Sequence, residues 1–411
     1  MTQSQTDIAN SACIYLCYSA SRGVTAFTSG RNYRWASTAL KEAGFIGLSD
    51  GTYCVPPFAP DATRKALLAL TRLARTHRAA INTLDRPFLG DVAARVAQSL
   101  PGDWSSEIVV HSVPVWQQDH LDWLWDHGVL AHALITERVP YAALLTNGTD
   151  ELLMIERPGH EQLLIGACLP TDFNRRFLDN RHFSKTPYAP NSICIPTQPL
   201  LAAQAITAQL LPRYAHAVHR LRTDLVSDAL LAGQKALDAW DAISDSLADE
   251  QGWPLDDETY GLRVQRRDAG VWDQFEVFVN HGRALIDRVT KHLDELPDQI
   301  PRGPAERLLS AMSGVLECGN SAIASWEEDI SRLGDHYPPE AFEYAVAERN
   351  ADAWDAMVTW LAHGPGFIGL ARTAAPSPPS SLPAPGASQS PALPSAARTT
   401  AHTDLAVRRG H

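Results

Sequence analysis

Hydrophobic positions divide the chain into blocks of different period. Ala12–Tyr18 (ACIYLCY) is apolar on both faces, as in a strand covered on both sides. Val24–Thr28 is strand-like again, rich in β-branched residues. In Arg31–Pro57 (RNYRWASTALKEAGFIGLSDGTYCVPP) the period becomes helical, with Trp35, Ala39, Leu40 and Ala43 on repeat. Gly44 stands where a helix C′ glycine belongs, free to take a positive φ. Asp50-Gly51 then separates two apolar runs as a hairpin turn, and Pro56-Pro57 ends the second run. A helix followed by a hairpin fits a winged helix and a β-α-β module alike. The two strand-like runs ahead of it favour the α/β module.

Asp61–Arg78 predicts a second helix, with Asp61 as its N-cap. Leu67, Leu70, Leu73 and Ala74 fall on one arc; Arg64, Lys65, Arg72, Arg75 and Arg78 fall on the opposite arc. Ala80–Thr83 adds a strand and Asp91–Leu100 a short helix.

The second block predicts a strand at Glu107–Val115 and a helix at Trp116–His127 stopped by Gly128. Four short apolar runs follow, Val129–Thr136, Tyr141–Thr146, Glu151–Ile155 and Gln162–Cys168, with Asn147-Gly148 as a primed turn. They read as an antiparallel meander with the helix packed on it. Leu169–Pro199 is polar and proline-rich, a long connection.

From Leu200 the period is helical throughout. Val271, Phe275, Phe278, Gly282, Leu285, Val289, His292 and Leu296 form one unbroken seam; Met312, Leu316, Gly319, Ile323, Trp326, Ile330 and Leu333 form another. Shorter seams begin at Tyr214 and Phe342. A bundle of about four long helices is expected, with Gly282 and Gly319 allowing close helix contact. After Leu370 the Ala/Pro/Ser-rich tail has too little apolar surface to order itself. The fold class is therefore an α+β N-terminal half followed by an all-α bundle and a disordered tail. The expected divisions are 1–100, 101–199, 200–370 and 371–411.

Charge sharpens this picture. The net charge of −12 divides into +5 over residues 1–100, −6 over 101–200, −14 over 201–370 and +3 over the tail. A basic front beside an acidic back suits a nucleic-acid contact at one end, although a solvated face carries the same signature. Six cysteines are scattered without a CxxC pair, and no run approaches the ~20 apolar residues of a membrane span. A cytoplasmic protein with reduced thiols and no membrane contact is expected.

Candidate chemistry is sparse. His111, His120, His127 and His132 neighbour Asp119, Asp122 and Asp126, without a recognised metal-ligand spacing. His216 and His219 lie one helical turn apart but lack the glutamate of a zinc-protease helix. Asp150, Glu156 and His160 surround one predicted strand and suggest phosphodiester or nucleotide hydrolysis. The carboxylate-x-Lys step of metal-dependent nucleases is absent there, since Arg157-Pro158 follows Glu156. Arg175, Arg176, Arg181, His182 and Lys185 form a basic knot in the long connection, suited to a phosphate or to loop solubility. There is no phosphate-cradling loop, dinucleotide fingerprint or nucleophile elbow. No catalytic residue is singled out, and no cofactor or metal is expected.

The runs SRGVTAF, RWASTALKEAGFIGLSDGTYCVPP, DRPFLGDVAARV, WQQDHLDWLWD and ELLMIERPGH resemble a group of high-GC actinobacterial proteins with no assigned activity. The likeness spans about residues 20–210. It implies a bacterial cytoplasmic setting and transfers no catalytic residues.

Two functional expectations follow. The first is a non-enzymatic interaction or regulatory protein. It would contact nucleic acid or another acidic partner through Arg64, Lys65, Arg72, Arg75 and Arg78, joined by Arg175, Arg176 and Lys185. Its bundle would pair with a helical partner or with itself. The second is a hydrolase built on Asp150, Glu156 and His160.

Overall fold

The strand-like runs ahead of residue 100 become one sheet. The structure, a computed structural model, describes residues 12–55, 60–126, 128–171, 173, 188–297, 302–334 and 337–376. The basic knot Arg175–Lys185 lies outside the described residues, as does the tail beyond 376; of the tail expected to be disordered after Leu370, the first residues instead continue the helix Trp354–Thr373. β1 (Ala12–Ser19) pairs antiparallel with β2 (Gly23–Ser29), setting Tyr15 opposite Phe27, and parallel with β5 (Ala79–Pro87). With β3 (Ile46–Gly47) and β4 (Tyr53–Val55) the order is β3-β4-β2-β1-β5, so β5 is an edge.

Helices α1 (Tyr33–Glu42) and α2 (Pro60–Thr76) cover one face of this sheet. Ala36, Ala39, Leu40, Ala66, Leu70 and Ala74 pack there on Ala12, Ile14 and Ala26. Alanine at the contacts lets two helices lie close to one sheet. Gly44 ends α1 as expected: its φ is +93°, its N–H donates to Lys41, and the N–H of Phe45 reaches back to Leu40. α2 begins at Pro60, which puts Asp61 inside the first turn rather than at the cap. It stops at Thr76, so Arg78 lies beyond the helix, with φ 51°.

The Asp50-Gly51 turn is a three-residue loop. Gly51 donates to Leu48 and is itself left-handed at φ +79°, a tight turn followed by a bulge. Asp50 keeps a negative φ, its carboxylate caps the Thr52 N–H, and it pairs with Arg22 at 2.5 Å. Gly51→Val forces a β-branched residue into that conformation and is expected to cost about 1–2 kcal/mol, read as a lower melting temperature.

The second block forms a five-stranded antiparallel sheet, in the order β10-β9-β8-β7-β6. Its strands are β6 (Ser105–Val110), β7 (Tyr141–Thr146), β8 (Glu151–Glu156), β9 (Leu163–Ala167) and β10 (Ile193–Ile195). Helix α3 (Leu89–Ser99) precedes it and packs, with Cys17 and Phe27 of the first sheet, on Tyr141, Ala143, Leu145, Leu152 and Met154. The Phe27 and Tyr141 rings lie 4.2 Å apart. The β7–β8 loop has a positive φ at Gly148 and not at Asn147, so Asn147-Gly148 is not the doubly left-handed centre of a type I′ turn.

Two elements differ from expectation. Val129–Thr136 is helix α5, not a strand, and covers the outer face of the second sheet through Leu130, Ala133 and Leu134. Asp126 fixes its start by accepting the N–H groups of Gly128 and Ala131. Trp116–His127 is not one helix. A short α4 (Pro114–Gln118) and a 3₁₀ turn (Asp119–Asp122) end where Trp123–Trp125 joins the sheet backbone. Trp125 N–H donates to Ala167 and Leu169 N–H to Trp123. Sheet pairing there outweighs local helix preference.

The helical region follows. α6 (Pro199–Ala205) passes through a wide π turn into α7 (Leu211–Ser244), whose first half closes the core beneath the second sheet. α7, α8 (Asp257–Glu295), α9 (Gly303–Leu333) and α11 (Trp354–Thr373) then share a second core, and α10 (Pro339–Asp352) packs beside it through Phe342 on Trp326 and Arg349 on Trp272. Among the described residues three of these helices are long, with 34, 39 and 31 residues, and the last expected seam is broken at Ala353. A Cβ on Gly319 would sit 2.7 Å from Val279 of α8, so this glycine does bring α8 and α9 together. Gly282 instead makes room for the Phe278 ring of its own helix. Two arginines are clasped by tryptophans: Arg267 between Trp240 and Trp354, and Arg349 between Trp272 and Trp326.

The described residues belong to one compact unit. All six cysteines are free thiols. Among the described residues no helix is long and apolar enough to cross a membrane.

Candidate functional site

The basic arc of α2 sits on the outermost layer of the N-terminal half. Leu70 and Ala74 turn toward the sheet, which leaves Arg64, Lys65, Arg72 and Arg75 exposed; Arg78 is exposed just past the helix. α1 lies beside α2 on the same sheet face and adds exposed Arg34 and Lys41, with Arg31 exposed just ahead of it. A Glu42–His77 contact of 3.0 Å joins the C-terminal ends of the two helices. None of the eight cations forms an ion pair with another described residue. Trp35 and Leu68, 50% and 60% exposed, stand among them. At a rise of about 1.5 Å per residue, the stripe from Arg64 to Arg75 is roughly 16 Å long. Arg175, Arg176 and Lys185, the other cations expected to join this contact, lie outside the described residues.

The carboxylates of the hydrolase expectation are separated. Asp150 belongs to the β7–β8 loop, where it is hydrogen-bonded to Asn147. Glu156 ends the same strand, roughly 20 Å away at about 3.3 Å per residue. His160 is exposed and contributes its carbonyl, which accepts from Arg86 Nη2.

Glu156 lines a cleft. Leu152, Met154 and Glu156 share the inward face of β8, so the register carries a carboxyl to the margin of the core between the sheets. On the neighbouring strand Tyr141 donates its hydroxyl to Glu156 Oε2 at 2.8 Å. Burial pushes the Glu156 carboxyl above its ordinary range, against the opposing pull of Tyr141 and Arg86. Burial, with Glu156 next to it, also pushes the Tyr141 hydroxyl up.

These groups line a cleft of about 460 Å³ between edge strand β5 and the end of β8, together with Tyr15, Asn82, Thr83, Arg86, Arg138 and Arg157. Arg157 is neutralised by Glu137, 2.5 Å away. Arg138 is held by Gln117 Oε1 at 3.2 Å and by Ser29 Oγ and the His111 carbonyl. Arg86 Nη1 is buried with no hydrogen-bond partner among the described residues.

Of the histidine–aspartate cluster, His111 and His120 do meet, with ring centroids 4.8 Å apart. His111 Nδ1 is 2.8 Å from the Val139 carbonyl, and both Nε2 atoms are buried without a partner. Asp126 is spent on the start of α5, and His127 lies outside the described residues. Among the described residues no three His, Cys, Asp or Glu side chains are grouped to hold a metal ion. His216 and His219 hold carbonyls at the end of α11 and just beyond it, Pro376 at 2.6 Å and Ala371 at 2.7 Å, and thereby tie α11 to α7.

No protein family, curated protein or solved structure matches the chain.

Arg86, Arg138 and Tyr141 were not singled out from sequence. Tyr141 and Glu156 carry a signal, a polar group on the inward-facing alternation of a strand. The two arginines carry none, because their partners are carbonyls and side chains distant in sequence.

Proposed function

We propose that the chain is a non-enzymatic interaction protein whose outer helical layer contacts the phosphate backbone of a nucleic acid. The observation that carries this reading is the gathering of Arg31, Arg34, Lys41, Arg64, Lys65, Arg72, Arg75 and Arg78 on one uncovered layer without ion-pair partners among the described residues. A row of idle cations attracts phosphates and releases their counterions, a contact that needs no base reading. Trp35 stands in the same surface as a stacking platform for an unpaired base. The acidic bundle, net −14 over residues 201–370, repels a polyanion and so confines it to this face. The affinity is set by charge and is sequence-tolerant.

Fluorescence anisotropy with a labelled duplex and a labelled single strand, at low salt, tests this. The full chain is expected to bind at least one of them. R64A/K65A/R72A/R75A is expected to weaken binding by tenfold or more while leaving the circular dichroism spectrum unchanged, because all four side chains are exposed. A quadruple variant that binds as tightly as the parent chain contradicts the reading.

A further inference from the structure

The cleft beside β5 is separate from the basic helical layer, which lies on the opposite face of the first sheet. Its chemistry is that of a small-molecule site. We propose that it binds a small oxyanion-bearing molecule, a carboxylate or a phosphate, with Arg86 and Arg138 facing the anion and the Tyr141–Glu156 pair engaging a second polar group.

Arg86 carries the argument. Its Nη2 donates to the His160 carbonyl, while Nη1 is buried and has no hydrogen-bond partner among the described residues. A buried donor left idle is costly, and a charged one more so, which makes such a group an expected ligand contact. A guanidinium presents its donors in a planar fork that suits two oxygens of one carboxylate or phosphate.

Arg86 is also placed where a ligand can reach it. It lines the 460 Å³ cleft and a neighbouring one of about 480 Å³ formed with Tyr18, Asp91 and Arg95. Both volumes lie within the usual range for small-molecule sites.

The remaining lining defines the ligand. Arg157 is already paired with Glu137, so it contributes shape more than charge. Arg138 is bonded to neutral acceptors, the Ser29 hydroxyl, the Gln117 amide oxygen and the His111 carbonyl, and among the described residues no carboxylate pairs with it. Glu156 and Tyr141, hydrogen-bonded to each other at 2.8 Å, form the polar wall beside them. Asn82 and Thr83 line the cleft from β5. An anionic head against the two arginines, with a hydroxyl or amide on its body to meet the Tyr141–Glu156 wall, engages both polar sides of the cleft.

Thermal melting and calorimetry of the full chain with inorganic phosphate and with succinate, each against sodium chloride of matched ionic strength, test the site. At least one probe is expected to raise the melting temperature above the salt control. A response to phosphate alone, or to succinate alone, identifies the anion class. R86M is expected to lower the affinity for that probe by tenfold or more. Y141F approaches the site from the other wall, leaves the arginine in place, and is expected to lower affinity several-fold. R64A/K65A/R72A/R75A is expected to respond as the parent does, which separates this site from the helical layer. Absence of any response beyond salt overturns the proposal. So does an undiminished response in both R86M and Y141F, or a response lost only in the quadruple variant.

Discussion

Trp360→Ala is expected to destabilise the chain by about 4 kcal/mol, measured as a fall in the urea midpoint of helical circular dichroism. Trp360 is fully buried where α11 crosses α7 and α8. Its ring lies 5.6 Å from Phe275 and 6.1 Å from Phe278, and Phe278 in turn meets Phe367. α7 approaches through Gly233, whose added Cβ would stand 3.4 Å from the Trp360 ring. Alanine leaves a cavity shared by three helices, and long rigid helices collapse poorly into such a space. Trp360→Phe is the informative control. The indole Nε1 is buried without a partner, so phenylalanine removes an unsatisfied donor along with part of the ring. Its cost is expected to be less than half that of alanine. A loss below about 1 kcal/mol for Trp360→Ala removes this aromatic cluster from the centre of the bundle.

The second large effect is acid sensitivity through His111. Burial is the main cause that depresses its imidazole to about 4, assisted by His120 and Arg138 and opposed by the hydrogen bond to Val139. The folded state keeps this ring neutral down to about pH 4, while an unfolded chain protonates it at its ordinary value of 6.5. Between those values the unfolded state binds the extra proton, so stability falls as pH falls, by about 1.4 kcal/mol per unit and roughly 3 kcal/mol in all. His120, also depressed by burial, acts in the same direction. Glu156 acts oppositely, because its raised carboxyl gives stability at low pH that is lost as pH rises through its folded value. The difference between the parent chain and His111→Asn isolates the first contribution. That difference is expected to shrink steadily from pH 7 to pH 4. A constant difference across the range contradicts a buried neutral His111.

Much of the architecture was legible where local chemistry and tertiary packing agree. Gly44 closes α1 with both expected backbone bonds, and the apolar seam through Val271, Phe275 and Phe278 is buried. The basic arc of α2 is exposed because Leu70 and Ala74 occupy the opposite arc, as the helical period requires. Val129–Thr136 was not legible, because a short run apolar on all sides has the same period signature as a covered strand. The local signal that marks it as a helix is the carboxylate of Asp126, three residues ahead, which caps its first turn.

The candidate sites divide in the same way. Asp150 and Glu156 look close in sequence, yet a strand holds them at its two ends. The cleft joins residues from β1 and β5 of one sheet with residues at the ends of β7 and β8 of the other, brought together by strand order and by the stacking of the two sheets. Arg138 finds Ser29 across more than a hundred residues, a separation of 109. No spacing rule anticipates such a contact, since parallel pairing of β1 with β5 and stacking of two sheets both intervene.

The most direct test of the nucleic-acid reading is the salt dependence of binding. Association of the full chain with a labelled duplex or single strand would be measured from roughly 50 to 200 mM salt and compared with R64A/K65A/R72A/R75A. The account predicts a steep linear fall of log K with log salt for the parent chain, and a slope about 3–4 units shallower for the variant if all four side chains meet phosphates. Equal slopes for the two proteins, or no binding by the parent chain at the lowest salt, would contradict it.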